Sequence, residues 1–267
     1  MLSKTAQKIR QLTLKMITEA KASHIGSSFS IVEILTALYF GDILKIDPQN
    51  PDDPKRDIFI LSKGHGCASL YATLALRGFF PEEVLYKEFY TDGGRLTGHP
   101  SFKLIPGIEV ATGALGHGLS MGVGFAKAAK IDAKKTKTFV VLGDGECNEG
   151  AVWEAALFAG QHKLDNLTVI VDYNQLQGLG CSKDVLCMDP FKEKWAAFGW
   201  EAKEVDGHNL EELTEVLKKV PFKEGKPNAI IAHTVKGKGV SYMEGELAWH
   251  YKSPNEEEFK QAVKELS

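Results

Sequence analysis

The chain has 267 residues, 43% of them hydrophobic and 25% charged, and its 32 basic and 35 acidic side chains leave a formal charge of −3. This composition excludes a disordered or fibrous chain, and at such a length about 75% of the unfolded surface can be buried without metal or disulfide staples. Balanced charge without a long single-sign run argues against a nucleic-acid partner. Apolar runs no longer than Thr138–Leu142 or Leu167–Val171 fall far short of the roughly 20 residues of a membrane span, so no membrane partner is expected.

In chain order, Ile9, Leu12, Met16 and Ile17 recur at helical spacing and predict a helix from Ser3 to about Lys21. This start carries charges throughout and has no apolar signal core, so the protein is expected in the cytoplasm. The glycine- and serine-rich SHIGSSFS reads as a loop between helices, with helix resuming over Ser30–Tyr39. Asn50–Arg56 is a proline-rich turn, and Asp57–Leu61 (DIFIL) a buried strand ending at SKGHG. A helix over Ala68–Gly78, a loop-rich stretch to Gly118 and a helix over Leu119–Lys130 follow. Strand Lys137–Leu142 ends at GDGECNEG and leads into helix Ala151–His162; strand Leu167–Val171 ends at DYNQLQG. Trp195, Phe198 and Trp200 read as packing residues. An amphipathic helix over Leu210–Val220 precedes strand Asn228–His233, which ends at TVKGKG, and Asn255–Glu265 forms a closing helix. Strands alternating with helices predict an α/β fold: a single domain over residues 1–267 with a doubly wound, mainly parallel sheet and helices on both faces. Cys67, Cys147, Cys181 and Cys187 form no CxxC or zinc spacing and are expected as free thiols.

In doubly wound sheets ligands collect beyond the carboxyl ends of the strands, and polar residues concentrate there in this sequence. The turn Gly143–Gly150 sets Asp144 between two glycines after a buried strand and before a helix, where backbone N–H groups approach an anion closely. A carboxylate repels a phosphate, so an intervening divalent cation reconciles the two. Asn174 lies thirty residues on, about one β-α-β step, which brings it beside Asp144. A carboxylate, an amide oxygen, a backbone carbonyl and diphosphate oxygens make a hard octahedral shell for Mg²⁺. Taken singly, Asp144 and Asn174 also read as a turn aspartate and an Asx-type cap.

The GDG of Gly143–Gly145 followed by the asparagine of DYN resembles the thiamine diphosphate motif, and its surroundings resemble the transketolase family. SHIGSSFS with His24, LSKGHG with His65, GHP with His99, TGALGHGLS, GDGECNEGAVWEA, VKGKG and the WH of Trp249–His250 match in order along essentially the whole chain. The resemblance implies thiamine diphosphate as cofactor with Mg²⁺, or Ca²⁺ or Mn²⁺ in its place. By the same resemblance, Asp144, Asn174 and the backbone carbonyl of Leu176 hold the ion. Gly145, Gly113, Ala114 and Leu115 contact the cofactor, and Lys236 and Glu149 lie near it. His24, His65, His99 and His250 line the substrate channel as catalytic residues, with His65 and His250 also touching the cofactor.

Proton transfers to sugar hydroxyls suit groups that titrate near neutrality, which favours histidines over carboxylates. Glu149 and Glu154 match interface residues, although both also suit a helix amino end through its dipole. Lys236 and Lys238 alternatively form an exposed charged turn, and His162, His208 and His233 read as structural. His117 stands where most members have glutamine.

Family members usually have three domains and the match covers the first. The implied protein is therefore the amino-terminal subunit of a split transketolase that moves a two-carbon ketol unit between sugar phosphates, as in the pentose phosphate pathway. A carboxyl-terminal partner subunit would supply the pyrimidine-binding domain and its activating glutamate in a hetero-oligomer of two plus two. An apolar face around Gly113–Gly118 and Gly150–His162 would meet that partner. The competing readings are another thiamine diphosphate enzyme, such as a 2-keto acid decarboxylase or a specialised sugar transketolase, and a nucleotide-binding module. The last leaves the missing GxGxxG and the Asp144–Asn174 pair unexplained.

Overall fold

The computed structural model describes residues 1–267. The helices are α1 (Leu2–Ala20), α2 (Ile25–Phe29), α3 (Val32–Phe40), α4 (Cys67–Arg77), α5 (Val84–Glu88), α6 (His117–Ile131), α7 (Gly150–Gln161), α8 (Ser182–Leu186), α9 (Phe191–Ala197), α10 (Leu210–Lys218) and α11 (Glu256–Glu265). The strands are β1 (Ile58–Leu61), β2 (Thr138–Gly143), β3 (Leu167–Tyr173), β4 (Leu176–Gln177), β5 (Gly180–Cys181), β6 (Glu201–Asp206) and β7 (Asn228–His233). Five of them form a sheet of order β1-β2-β3-β7-β6, parallel throughout, while β4 and β5 make a small antiparallel hairpin.

Every residue of β1 and β2 is buried. This is the burial of a parallel strand covered on both faces, and it explains why these segments read as unbroken apolar runs. Alternate residues feed two cores. Phe59, Leu61, Phe139 and Val141 face a cluster of 49 buried residues built with α1, α3, α4 and α10; Ile58, Ile60, Val140 and Leu142 face a cluster of 21 built with α6, α7 and α9. The second layer is thinner and leaves apolar side chains uncovered: Ile131 is 73% exposed, Leu157 58% and Phe158 43%, beside a groove between α6 and α7. No helix is long and apolar enough to cross a membrane, and all four cysteines are free.

Three stretches depart from the sequence expectation or test it. SHIGSSFS is not a plain loop: Ile25–Phe29 turns helically and is wholly buried, after His24 takes a left-handed φ of 71°. Gly26 fits closely there: a Cβ would meet Lys236 Cγ at 3.1 Å and the Trp249 carbonyl at 3.3 Å. Strand β6 (EAKEVD) had no apolar signature because its side chains are mostly half-exposed, unlike those of β1 at the opposite edge of the sheet, which are all buried. Helix α9 carries Trp195, which is fully buried beside Trp200, so these aromatics pack as expected.

Register sets the site. Gly143 pairs with Asp172, and Asp172 with Ala232, so the carboxyl ends of β2, β3 and β7 lie abreast. Asp144, Asn174 and Thr234 therefore leave the sheet side by side, and Ser62–Lys63 follow β1 at the same edge.

Candidate active site

A cleft of about 390 Å³ opens at this edge, lined by His24, His65, His99 and His250 and by Asp144, Asn174, Leu176 and Lys236, together with Gly113, Leu115, Gly145 and Glu149. The four histidines arrive on four separate loops. His24 sits among the others, its ring centroid 5.4 Å from His65, 6.0 Å from His99 and 5.0 Å from His250, and His65 lies 5.5 Å from His250. The His24 N–H donates to the His250 carbonyl at 3.0 Å, tying two of these loops through the backbone. Burial, then the neighbouring His99, Lys236 and Lys63, pushes His24 down to about 4. Burial, then Lys236, His24 and Lys63, takes His250 to about 3. His65 and His99 are lowered as well, mainly by burial. All four imidazoles are therefore neutral at pH 7, each with one nitrogen to donate and one to accept. Nδ1 of His250 is buried with no partner.

Beside them the oxygens are arranged for a cation. Asp144 accepts from the Gly145 N–H (2.9 Å), the Gln175 N–H (2.8 Å) and the Ser182 hydroxyl (3.0 Å). Burial and the nearby Asp172 push its carboxyl up to about 6, as expected of a buried carboxylate short of positive charge. Asn174 Nδ2 donates to Asp172 at 2.8 Å, which fixes the amide so that Oδ1 turns away from Asp172. Asp172 is itself fully buried and paired with Lys63. The Leu176 carbonyl accepts from Lys236 Nζ at 3.1 Å. One carboxylate, one amide oxygen and one backbone carbonyl form an all-oxygen set suited to a hard divalent ion.

Two glycines let the loops around the cleft close on one another. A Cβ on Gly113 (φ 129°) would meet the His99 ring at 2.9 Å, and one on Gly64 would meet Thr112 Oγ1 at 2.7 Å. Glu146, buried, ties the three loops together: it accepts from Ser62 Oγ (2.5 Å), the Gly116 N–H (2.9 Å) and the Gly143 N–H (3.1 Å).

Some expected residues lie elsewhere. Ala114 is not among the cleft-lining residues and is exposed between Gly113 and Leu115, which are. His117 is exposed at the start of α6, its Nδ1 3.1 Å from the Leu115 carbonyl, and Glu154 is exposed on α7. The alternative of an exposed charged turn holds for Lys238, paired with Glu244 at 3.2 Å, but not for Lys236, which is 2% exposed. His162, His208 and His233 lie outside the cleft, beside Lys127, Glu33 and Glu204. Sequence reasoning missed Glu146, Lys63, Gln177 and Ser27. Ser27 lines the cleft with a buried, unpartnered hydroxyl, and its only sequence signal was its place three residues after His24.

A family model described as transketolase, thiamine diphosphate binding domain, matches residues 2–267. The chain is 46% identical over 264 residues to a subunit of the apulose-4-phosphate transketolase of Phocaeicola vulgatus, covering 98% of this chain and 92% of the relative. It is 44% identical to the 6-deoxy-6-sulfo-D-fructose transketolase subunit SqwG of a Clostridium species, covering 98% and 94%. Identity to the transketolase of Homo sapiens is 37%, over 99% of this chain but 42% of the relative. Among solved structures, transketolase from Leishmania mexicana superposes with a TM-score of 0.93 at 30% identity, covering 100% of this chain and 41% of that one. Transketolase from Campylobacter jejuni gives 0.91 at 34%, covering 99% and 42%. The chain thus spans about two fifths of these solved chains.

Proposed function

The chain belongs to the transketolase family, matching its thiamine diphosphate binding domain, and on that premise we propose that residues 1–267 form one diphosphate-binding domain, the amino-terminal subunit of a split transketolase. With a carboxyl-terminal partner subunit it transfers a two-carbon ketol unit from a ketose or ketose phosphate to an aldose or aldose phosphate. The observation that carries this reading is the meeting of four neutral histidines and the Asp144–Asn174–Leu176 oxygen set in one cleft.

Asp144, Asn174 and the Leu176 carbonyl would hold Mg²⁺, or Ca²⁺ or Mn²⁺, against the diphosphate, while Gly113, Leu115 and Gly145 admit it close to the backbone and Lys236 adds positive charge beside it. When bound, thiamine diphosphate supplies the carbon nucleophile that attacks a ketose carbonyl and carries the two-carbon unit. His24, His65, His99 and His250 are placed to bind the sugar's hydroxyls and to take or return their protons. Their neutrality matters, since an imidazolium can only donate. The unpartnered Nδ1 of His250 is free to meet a ligand.

A partner is supported by relatives that the chain spans nearly end to end and whose names describe them as subunits of larger enzymes. It is supported also by the apolar α6–α7 face, where Leu157 and Phe158 remain open near Glu154. Two copies of this chain with two of the partner make the simplest closed assembly. The relatives' names carry apulose 4-phosphate and 6-deoxy-6-sulfo-D-fructose, so a specialised ketose stands beside the pentose phosphate donors. The test is to co-express the chain with the product of the neighbouring reading frame and assay ketol transfer from each of these donors with Mg²⁺ and thiamine diphosphate. Transfer from at least one donor, lost in Asp144→Ala, is the expected result; a complex that binds no thiamine diphosphate overturns the reading.

A further inference from the structure

Outside the cleft, Arg10, Glu33 and His208 form a buried cluster that the proposed chemistry does not use. Arg10 and Glu33 are each 7% exposed and meet in two parallel contacts, Nη1 to Oε1 at 2.5 Å and Nη2 to Oε2 at 2.7 Å. His208 Nδ1 lies 2.8 Å from Glu33 Oε2. Burial by itself would raise the Glu33 carboxyl, but the hydrogen bonds from His208 and Arg10 hold it down to about 2. A buried ion pair is weak evidence for stability, since apolar residues of similar volume often serve as well. What this one touches is more informative.

Both partners of Glu33 reach on to the backbone of a single loop. The Val235 N–H donates to His208 Nε2 at 2.8 Å, and Arg10 Nε donates to the Lys238 carbonyl at 2.9 Å. Between these two handles stands Lys236, whose side chain enters the cleft and reaches the Leu176 carbonyl. Arg10 Nη2 also donates to the carbonyl of Phe29, the last residue of α2, at 3.3 Å, and the Gly237 N–H donates to the Gly26 carbonyl at 3.0 Å. The imidazole has no freedom of tautomer here. An N–H donates into Nε2, so Nε2 carries the lone pair and Nδ1 carries the proton that Glu33 accepts.

We infer that Arg10, Glu33 and His208 are positioning residues: a clamp, centred on Glu33, that holds the Val235–Gly239 loop at both ends and so fixes Lys236 in the cleft. The consequence for cofactor binding rests on the function proposed above; the clamp itself does not.

Two substitutions at His208 separate this from a merely structural role. An asparagine amide reaches about as far as Nδ1, so it keeps the Glu33 contact and loses the acceptor for Val235. A glutamine reaches about as far as Nε2 and can still accept that N–H through its carbonyl oxygen. His208→Asn should raise amide hydrogen exchange across residues 234–239 in the purified chain and weaken Mg²⁺–thiamine diphosphate binding in its complex with the partner, each by about tenfold, the size of one buried hydrogen bond. His208→Gln, which regains the acceptor for Val235 but not the Glu33 contact, should restore both in part. Exchange unchanged in His208→Asn, or equal damage from both variants with matching loss of melting temperature, overturns the clamp. Raised exchange with undiminished cofactor affinity overturns its link to Lys236. A wild-type complex that binds no thiamine diphosphate would instead sink the functional reading, and the exchange comparison then upholds or overturns the clamp by itself.

Discussion

Asp144 shows how one side chain carries both a turn and a site. Its two oxygens already satisfy the Gly145 and Gln175 N–H groups and the Ser182 hydroxyl, yet burial beside Asp172 leaves it raised to about 6, a carboxylate that a divalent ion would return to its charged form. Asp144→Ala should therefore abolish Mg²⁺-dependent binding of thiamine diphosphate while the circular dichroism spectrum stays that of the wild type; titration calorimetry with and without Mg²⁺ checks it, and unchanged affinity would remove Asp144 from the metal set. The histidines call for a different signature. His24→Ala and His65→Ala should lower turnover of the reconstituted complex by about 10²–10⁴-fold, the usual contribution of a positioned proton-transfer group, with a much smaller change in cofactor affinity. Loss of cofactor affinity with turnover intact at saturation would make them anchors instead.

Among the elements, the contact between α1 and α3 through Arg10 and Glu33 has a measurable pH dependence. The Glu33 carboxyl is held at about 2 in the folded protein, against an unfolded value near 4.3. A depressed folded pKa contributes stability that is fully present above the unfolded value and is lost as pH falls through the folded one, here between about pH 4.5 and pH 2. In Glu33→Gln this part of the acid destabilisation, roughly 3 kcal/mol by linkage, should vanish from a plot of urea-unfolding stability against pH. The variant should also be less stable at pH 7 by about 3–5 kcal/mol, because Arg10 is left buried without its counter-charge. Parallel pH profiles for the two proteins would show that Glu33 is not the titrating group. The elements themselves were unequally legible: β1, β2, β3 and β7 announced themselves as apolar runs because both of their faces are covered, whereas β6 has four charged residues among its six and packs only partly. Helix α2 was hidden because glycine and serine are poor helix formers; burial among Lys236 and Trp249 holds the turn, which local propensity does not.

For the molecule as a whole, the chain assayed alone with Mg²⁺, thiamine diphosphate and sugar phosphates should be silent, and addition of the partner should restore turnover. The resemblance implies that the glutamate that activates the cofactor's pyrimidine belongs to the partner's pyrimidine-binding domain, whereas the domain matched here is the thiamine diphosphate binding one. Equal turnover with and without the partner would show that the activating carboxylate lies in this chain. The order of motifs, the strand-end loops and the residue types of the cleft were all readable in the sequence, because a parallel sheet writes its core as apolar runs and its ligand edge as glycine-flanked polar turns. Neighbourhood was not. That three histidines from three other loops come within about 6 Å of His24, that Lys236 turns inward while Lys238 turns outward, and that Glu33, paired with Arg10, meets His208 across 175 positions of sequence depend on strand order and on which side each loop leaves the sheet. Those are properties of the packed chain, set by long-range burial that no local pattern of residues encodes.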